Sequence, residues 1–430
     1  MKIRTKTLDY DKVMALPRPE HVPPRRPDAP LRALIRALSA ADLKKTRFSY
    51  TTERMDALGP GPYLIVMNHS SFIDLEIAAH IFRSEPFCIV CTSDGFVGKE
   101  ALLRRIGCIP TNKFVTDLRL LADMAHALRE EKCSVLLFPE ASYSFDGRAT
   151  PLPRKLGVML KKLDVPVVGV LTEGAFARDP LYNCLQKRDV TVSAKVRGLF
   201  TREETRSHSV AELDAALDEM FSFDNFAWQR DNGIVIGESF RADGLERILY
   251  KCPHCLTEGE TVGAGVTLRC RHCGEEYELD TLGQLVCHTG EAAFTHIPDW
   301  YSWEREEVRR ELEAGAYRLE TDVEIGMLVD YKAIYMVGAG HLTHDPEGFR
   351  LTGCQDRLHF ERPAKACYSL YADYYWYELG DIICIGDDQV QYYCFPQTSV
   401  PVAKARLATE ERYKMLRSRR SAAKLPVRGT

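Results

Sequence analysis

The chain has 430 residues, 45% hydrophobic and 27% charged, with a formal net charge of −4 and 14 cysteines. This is ordinary globular usage on a length that implies two to three domains, which excludes a fibrous or disordered chain. No apolar run approaches the ~20 residues that span a bilayer, the start has no signal-peptide apolar core, and an acidic balance without a long basic stripe argues against nucleic acid as a partner.

Residues 1–60 hold thirteen Lys and Arg against seven Asp and Glu, a basic leader on an acidic chain. Such a patch suits an anionic cytoplasmic leaflet, where each cation near the surface contributes ~1 kcal/mol. After the proline-rich stretch from His21 to Pro30, Leu31-Arg32-Ala33-Leu34-Ile35-Arg36-Ala37-Leu38 alternates apolar and basic residues at helical spacing. Two readings fit it: a helix lying in a membrane interface, or one packing its leucines on the domain.

Tyr63-Leu64-Ile65-Val66-Met67 is a continuous apolar run, the pattern of a strand covered on both faces. Asn68-His69 follows it, and the residues from Ile73 to Phe82 have helical spacing, so His69 falls at a strand's carboxyl end with Asp74 in the first turn of the next helix. A carboxylate on one imidazole nitrogen fixes the tautomer and raises the basicity of the other, which equips the ring to deprotonate a hydroxyl. Ser71-Phe72-Ile73-Asp74 also spells a capping box, in which Asp74 satisfies helix amides. Cys88 and Cys91 lie on another apolar run, Phe87 to Cys91, where positions three apart face opposite ways, so they read as core.

Ser134-Val135-Leu136-Leu137-Phe138 is a further buried-strand run, which brings Pro139-Glu140 to the same sheet edge as His69. Glu140 then either joins the site or faces water behind a strand-ending proline. Four blocks recur in order: His69 to Asp74, Gly107-Cys108-Ile109-Pro110-Thr111-Asn112-Lys113, Phe138-Pro139-Glu140-Ala141-Ser142, and Val165-Pro166-Val167-Val168-Gly169-Val170. In this the stretch from about Pro62 to Phe200 resembles the glycerolipid acyltransferase family of 1-acylglycerol-3-phosphate acyltransferases.

That resemblance implies acyl transfer from a thioester, acyl-coenzyme A or acyl-carrier protein, to the free hydroxyl of a lysophospholipid. It casts His69 as general base, Asp74 as its orienting partner and Glu140 as the residue positioning the acceptor, with Asn68 and Ser142 beside them in the substrate site. Backbone amides after Ser70 are the expected oxyanion donors. The third block departs from the family's usual Gly-Thr-Arg at Ala141-Ser142-Tyr143, and Lys113 stands where the second block usually ends in Arg. Phosphate capture is therefore expected to be altered, because an arginine fork is replaced by a point charge and a single hydroxyl. Lys113, Arg148, Arg154 and Lys155 either replace the lost guanidinium or form a solvated face.

From Arg188 to Val196 residues alternate as a strand, and Val210 to Phe221 reads as an amphipathic helix. With the elements before them they predict an α/β domain over 61–225, a mostly parallel sheet flanked by helices. Residues 226–250 read as a linker with a short helix. Cys252-Pro253-His254-Cys255 and Cys270-Arg271-His272-Cys273 are two Cys-x2-Cys knuckles at four-cysteine zinc spacing. They predict a structural zinc ribbon over 251–288, with both histidines as exposed knuckle residues rather than ligands.

The region 295–430 changes character. Pro298 to Trp303 leads into a charged helix over 304–314, and short strand patterns follow. His341 to Thr352 reads as a hairpin turning at Asp345-Pro346-Glu347-Gly348, Ile382 to Phe395 as another turning at Gly386-Asp387-Asp388, and Val402 to Arg420 as a terminal helix. A small β-barrel closed by a helix resembles the pleckstrin-homology or GRAM arrangement. Trp300 and Trp303 fit either a membrane interface or a domain core. The whole is expected to be a cytoplasmic enzyme, peripheral on the inner face of an anionic membrane; the alternative readings are a lipid-binding scaffold without catalysis and, behind it, a zinc-ribbon protein that binds nucleic acid.

Overall fold

Every strand that carries the chemistry-bearing blocks belongs to one seven-stranded sheet. The computed structural model describes residues 2–115, 117–153, 156–398 and 400–423. The strand order is Ser49–Glu53, Ser193–Phe200, Val167–Glu173, Leu64–Met67, Ser134–Leu137, Phe87–Thr92, Cys108–Thr111. All neighbours are parallel except Val167–Glu173 with Ser193–Phe200, so the sheet is mixed.

The two-residue period sorts the central strands between two apolar layers. Ile65, Met67 and Leu136 face the layer that holds Ile73 and Ile77 of the helix Ile73–Ile81 and Leu43 of the helix Ala29–Lys45. Leu64, Val66, Val135 and Leu137 face the other, with Met124, Leu160 and Leu213 from three further helices. Gly157 permits the tight crossing of two of these, since a Cβ there would lie 2.7 Å from the Val210 carbonyl oxygen.

Several elements differ from their expected bounds. The strand after the fourth block starts at Ser193, because Val190 and Val192 are already buried in other contacts before it begins. The helix expected at 304 starts at Ile297, with Pro298 at its first turn, where a missing N–H costs nothing. The stretch 226–250 holds the short helix Asn225–Asp231, and its Leu245, Ile248 and Leu249 are fully buried.

The cysteine knuckles flank a four-stranded antiparallel sheet in the order Leu285–Cys287, Glu276–Leu279, Thr267–Cys270, Thr261–Ala264. The C-terminal region forms an antiparallel sheet in the order Leu358–Pro363, Gly348–Gly353, Ile334–Asp345, Leu319–Leu328, Gln391–Pro396, Gly380–Gly386, Tyr371–Trp376. Both expected hairpins are there, pairing Asp345 with Gly348 and Gly386 with Gln391. Thr5–Thr7 of the basic leader adds a parallel strand to Ile334–Asp345, and Val13 is wholly buried in the same core.

A single apolar cluster joins the three regions, from Phe145 and Phe176 through Leu268 and Tyr277 to Ile325 and Leu407. Trp300 is inside it at 1% exposure, donating to the Lys251 carbonyl, so the core reading of this residue holds. Trp303, half-buried, packs against Phe294.

Candidate active site

Register alone brings the first and third blocks together. Val66 pairs with Leu137 on adjacent parallel strands, so Asn68-His69 and Phe138-Pro139-Glu140 leave the sheet side by side. His69 Nδ1 lies 3.1 Å from Asp74 Oδ2, and that same oxygen accepts the amides of Ser70 (2.7 Å) and Ser71 (3.1 Å). Both readings of Asp74 are therefore realised at once: it caps the turn and it meets the imidazole. The Ser70 and Ser71 amides are consequently engaged by this carboxylate.

The His69 ring stacks on Phe138 at 4.0 Å and tilts against Tyr143 at 4.3 Å, with 21% of its side chain still exposed. Burial pushes its pKa below the ordinary 6.5, and the Asp74 carboxylate opposes that shift. The ring is thus neutral near pH 7, pinned through Nδ1, with Nε2 left for a substrate proton.

Glu140 does not face water. It is buried, its Oε1 accepts the His69 amide at 3.1 Å, and its Oε2 accepts the Thr150 amide (2.8 Å) and hydroxyl (2.6 Å). Desolvation raises its pKa, and these three donors hold it back. The carboxylate therefore locks the backbone under the histidine. Asn68 is likewise occupied, accepting the Thr172 amide at 2.7 Å and donating to the Thr172 carbonyl at 3.2 Å. It braces the strand end against Val167–Glu173.

Of the residues expected to hold phosphate, Arg148 is tied to Asp224 and Asp299, each at 2.7 Å. Its guanidinium is neutralised by that pair of carboxylates. Arg154 and Lys155 lie outside the described residues. Lys113 points into the C-terminal region, its Nζ 4.0 Å from the Tyr371 ring centre and in the field of Asp373 and Asp94. Burial lowers the Lys113 pKa and raises that of Asp373 to about 7. Ser142 is buried, and its hydroxyl has no hydrogen-bond partner among the described residues.

The contribution of the C-terminal region escaped the sequence. Tyr371 and Trp376 both donate to Asp94 Oδ2, Tyr374 packs on Phe145, and Arg406 stacks on Phe145 from the other chain end. Ala141 also carries information: it has φ of 57°, a left-handed backbone that suits glycine.

An open cleft of about 540 Å³ lies beside the second block, between Arg18, His21, Asn112, Arg119 and Tyr331. His69 does not line it.

Cys252, Cys255, Cys270 and Cys273 place their sulfurs within 4.8 Å of one another, with 3.7 Å across both Cys252–Cys273 and Cys255–Cys270. A tetrahedron with bonds of ~2.3 Å has edges of about 3.8 Å, so the four thiols fit a metal ion. His254 is exposed and approaches Cys273 and Glu275.

Residues 49–173 match the family described as Acyltransferase, so this segment is an acyltransferase domain, under a third of the chain. Its start takes in the strand Ser49–Glu53, which a domain boundary at 61 leaves in the leader. Among solved structures, the 1-acyl-sn-glycerophosphate (LPA) acyltransferase PlsC of Thermotoga maritima is similar over 45% of this chain and 81% of its own, at 16% identity and a TM-score of 0.33. Among curated proteins none matches the chain.

Proposed function

We propose that this protein transfers an acyl group from a thioester to the free hydroxyl of a lysophospholipid, with 1-acylglycerol 3-phosphate as acceptor and phosphatidic acid as product. The observation that carries this is the 3.1 Å contact of His69 Nδ1 with Asp74 inside an acyltransferase domain. His69 Nε2 takes the hydroxyl proton as the oxygen attacks the thioester carbonyl. The tetrahedral intermediate then collapses, its C–S bond breaks, and the imidazolium returns the proton to the departing thiolate. No covalent bond to the protein is needed.

The test is acyl transfer from acyl-coenzyme A and acyl-carrier protein to a panel of lysolipids, by wild type and His69→Ala. Loss of about 10²–10⁴-fold is expected from removing a general base; equal turnover by both proteins rejects the assignment.

The reading extends to the rest of the chain. The four-cysteine group holds a structural zinc ion, which stabilises a segment too small to rely on its own core. Peripheral membrane binding on the cytoplasmic face is supported by Leu34 and Leu38, 52% and 72% exposed on the helix Ala29–Lys45, and by Phe72, 66% exposed beside the site. Among the described residues no helix is long and apolar enough to cross a membrane. The seven-strand order and closing helix of the C-terminal region support its likeness to the pleckstrin-homology or GRAM arrangement.

A further inference from the structure

Arg406 sits on the terminal helix Val402–Ala423, 2% exposed, with its guanidinium carbon 4.3 Å from the centre of the Phe145 ring. Its Nε donates to Glu410 at 3.2 Å, but both terminal nitrogens, Nη1 and Nη2, are buried without a hydrogen-bond partner among the described residues. Glu410 does not fully answer this charge, because it also binds Arg305 at 2.7 Å and Ser369 at 2.7 Å. Glu411, the neighbouring carboxylate, is itself engaged by Arg305 and Lys414.

A guanidinium edge left bare in a dry interior is expensive, and such groups in folded proteins are completed by water, an ion or a ligand. The guanidinium stacks on Phe145, in the loop that follows the third block. The same loop contains Tyr143, which contacts the His69 ring, and Ser144, whose amide donates to the His69 carbonyl at 3.2 Å. It also contains Ser142, whose buried hydroxyl has no hydrogen-bond partner among the described residues. The charge of Arg406 acts on both Glu140 and Lys113.

We propose that Arg406 is a substrate-anion receptor: its two free guanidinium nitrogens grip a phosphate group carried by one of the two substrates beside His69, so that the C-terminal helix completes the reaction site. Two parallel N–H donors match two phosphate oxygens, a fit that lysine cannot reproduce. The assignment rests on the acyl-transfer reading for its location in a catalytic cycle, while the anion site itself stands on the orphaned donors.

The phosphate belongs either to the acceptor headgroup or to the nucleotide of the donor, and steady-state kinetics separates them. Wild type, Arg406→Met and Arg406→Lys are compared on 1-acylglycerol 3-phosphate against 1-acylglycerol, and on acyl-coenzyme A against an acyl-N-acetylcysteamine. Arg406→Met is expected to raise KM by about tenfold or more for the phosphate-bearing member of one pair and to leave its phosphate-free partner unchanged. Which pair responds names the source. Arg406→Lys, which keeps the charge and loses the fork, is expected to fall between, and it carries the test if the methionine variant does not fold.

Calorimetric titration with inorganic phosphate and glycerol 3-phosphate supplies a readout independent of turnover. Binding by wild type that Arg406→Met or Arg406→Lys weakens supports the receptor even if no acyl transfer is found, in which case only the catalytic reading fails. No binding by wild type, or KM values that shift equally with and without phosphate, overturns the proposal and leaves Arg406 as a structural ion pair with Glu410.

Discussion

Asp74 Oδ2 is shared by the His69 ring nitrogen at 3.1 Å and by two backbone amides, those of Ser70 and Ser71. One oxygen therefore fixes both the orientation of the imidazole and the turn that carries it. Asp74→Asn can satisfy either the ring or the amides through its carbonyl, but it brings no charge to an imidazolium. Turnover is expected to fall by roughly 10²-fold or more. Thermal stability should fall too, by about 1–3 kcal/mol for a disturbed buried group. Assays of kcat alongside thermal melts check this, and an unchanged kcat would detach Asp74 from the chemistry.

The pH dependence follows from the burial of His69. Its pKa is lowered from 6.5, so the basic form should already dominate at neutral pH and kcat/KM should fall only as pH drops through a midpoint below 6.5. Removing the Asp74 carboxylate takes away the group that favours the imidazolium, which moves the midpoint lower still. A profile of kcat/KM against pH with a histidine limb above 6.5 contradicts this.

Ala141 holds a φ of 57° in the loop that follows Glu140. An L-residue there carries a strain of roughly 1–2 kcal/mol, part of which glycine returns to its larger unfolded-state freedom. Ala141→Gly is therefore expected to raise the thermal midpoint slightly. A lowered midpoint in a calorimetric scan would mean that the methyl group packs more favourably than the backbone strain costs.

Metal removal should reach well beyond the knuckles. Leu268 and Tyr277, on strands next to the four thiols, belong to the apolar cluster that also contains Phe145 and Ile325. Treatment with a chelator, or Cys252→Ser, is expected to lower the melting temperature of the whole chain and not only of residues 251–288. Metal analysis that finds less than one ion per freshly purified chain counts against the site.

Leu34 and Leu38 form an exposed apolar pair one turn apart, with Ala33 and Ala37 exposed beside them. Replacing both leucines with glutamate is expected to weaken sedimentation with anionic phospholipid vesicles by about tenfold or more while leaving the thermal midpoint unchanged. Equal binding by the double variant moves the lipid contact elsewhere.

The legible part of this chain was the part written in local periodicity. Apolar runs such as Leu64–Met67 and Ser134–Leu137 declare buried strands, and the residues that leave them must share an edge, which is why the meeting of His69, Asp74 and Glu140 is readable. The occupation of Glu140 by Thr150 and of Asn68 by Thr172 was not, because each depends on a backbone amide brought in by a loop or a distant strand. The packing of Tyr371, Tyr374 and Arg406 on the acyltransferase domain is more remote still. Nothing in a local pattern tells a charged helix residue that faces solvent from one that lies under a neighbouring domain.

The short strand Thr5–Thr7 pairs with residues more than three hundred positions downstream, Ile334 to Met336. During synthesis this segment leaves the ribosome long before its partner exists. The ordering of the first few residues thus waits on a sheet encoded far downstream, which makes chains cut before that sheet poor candidates for independent folding.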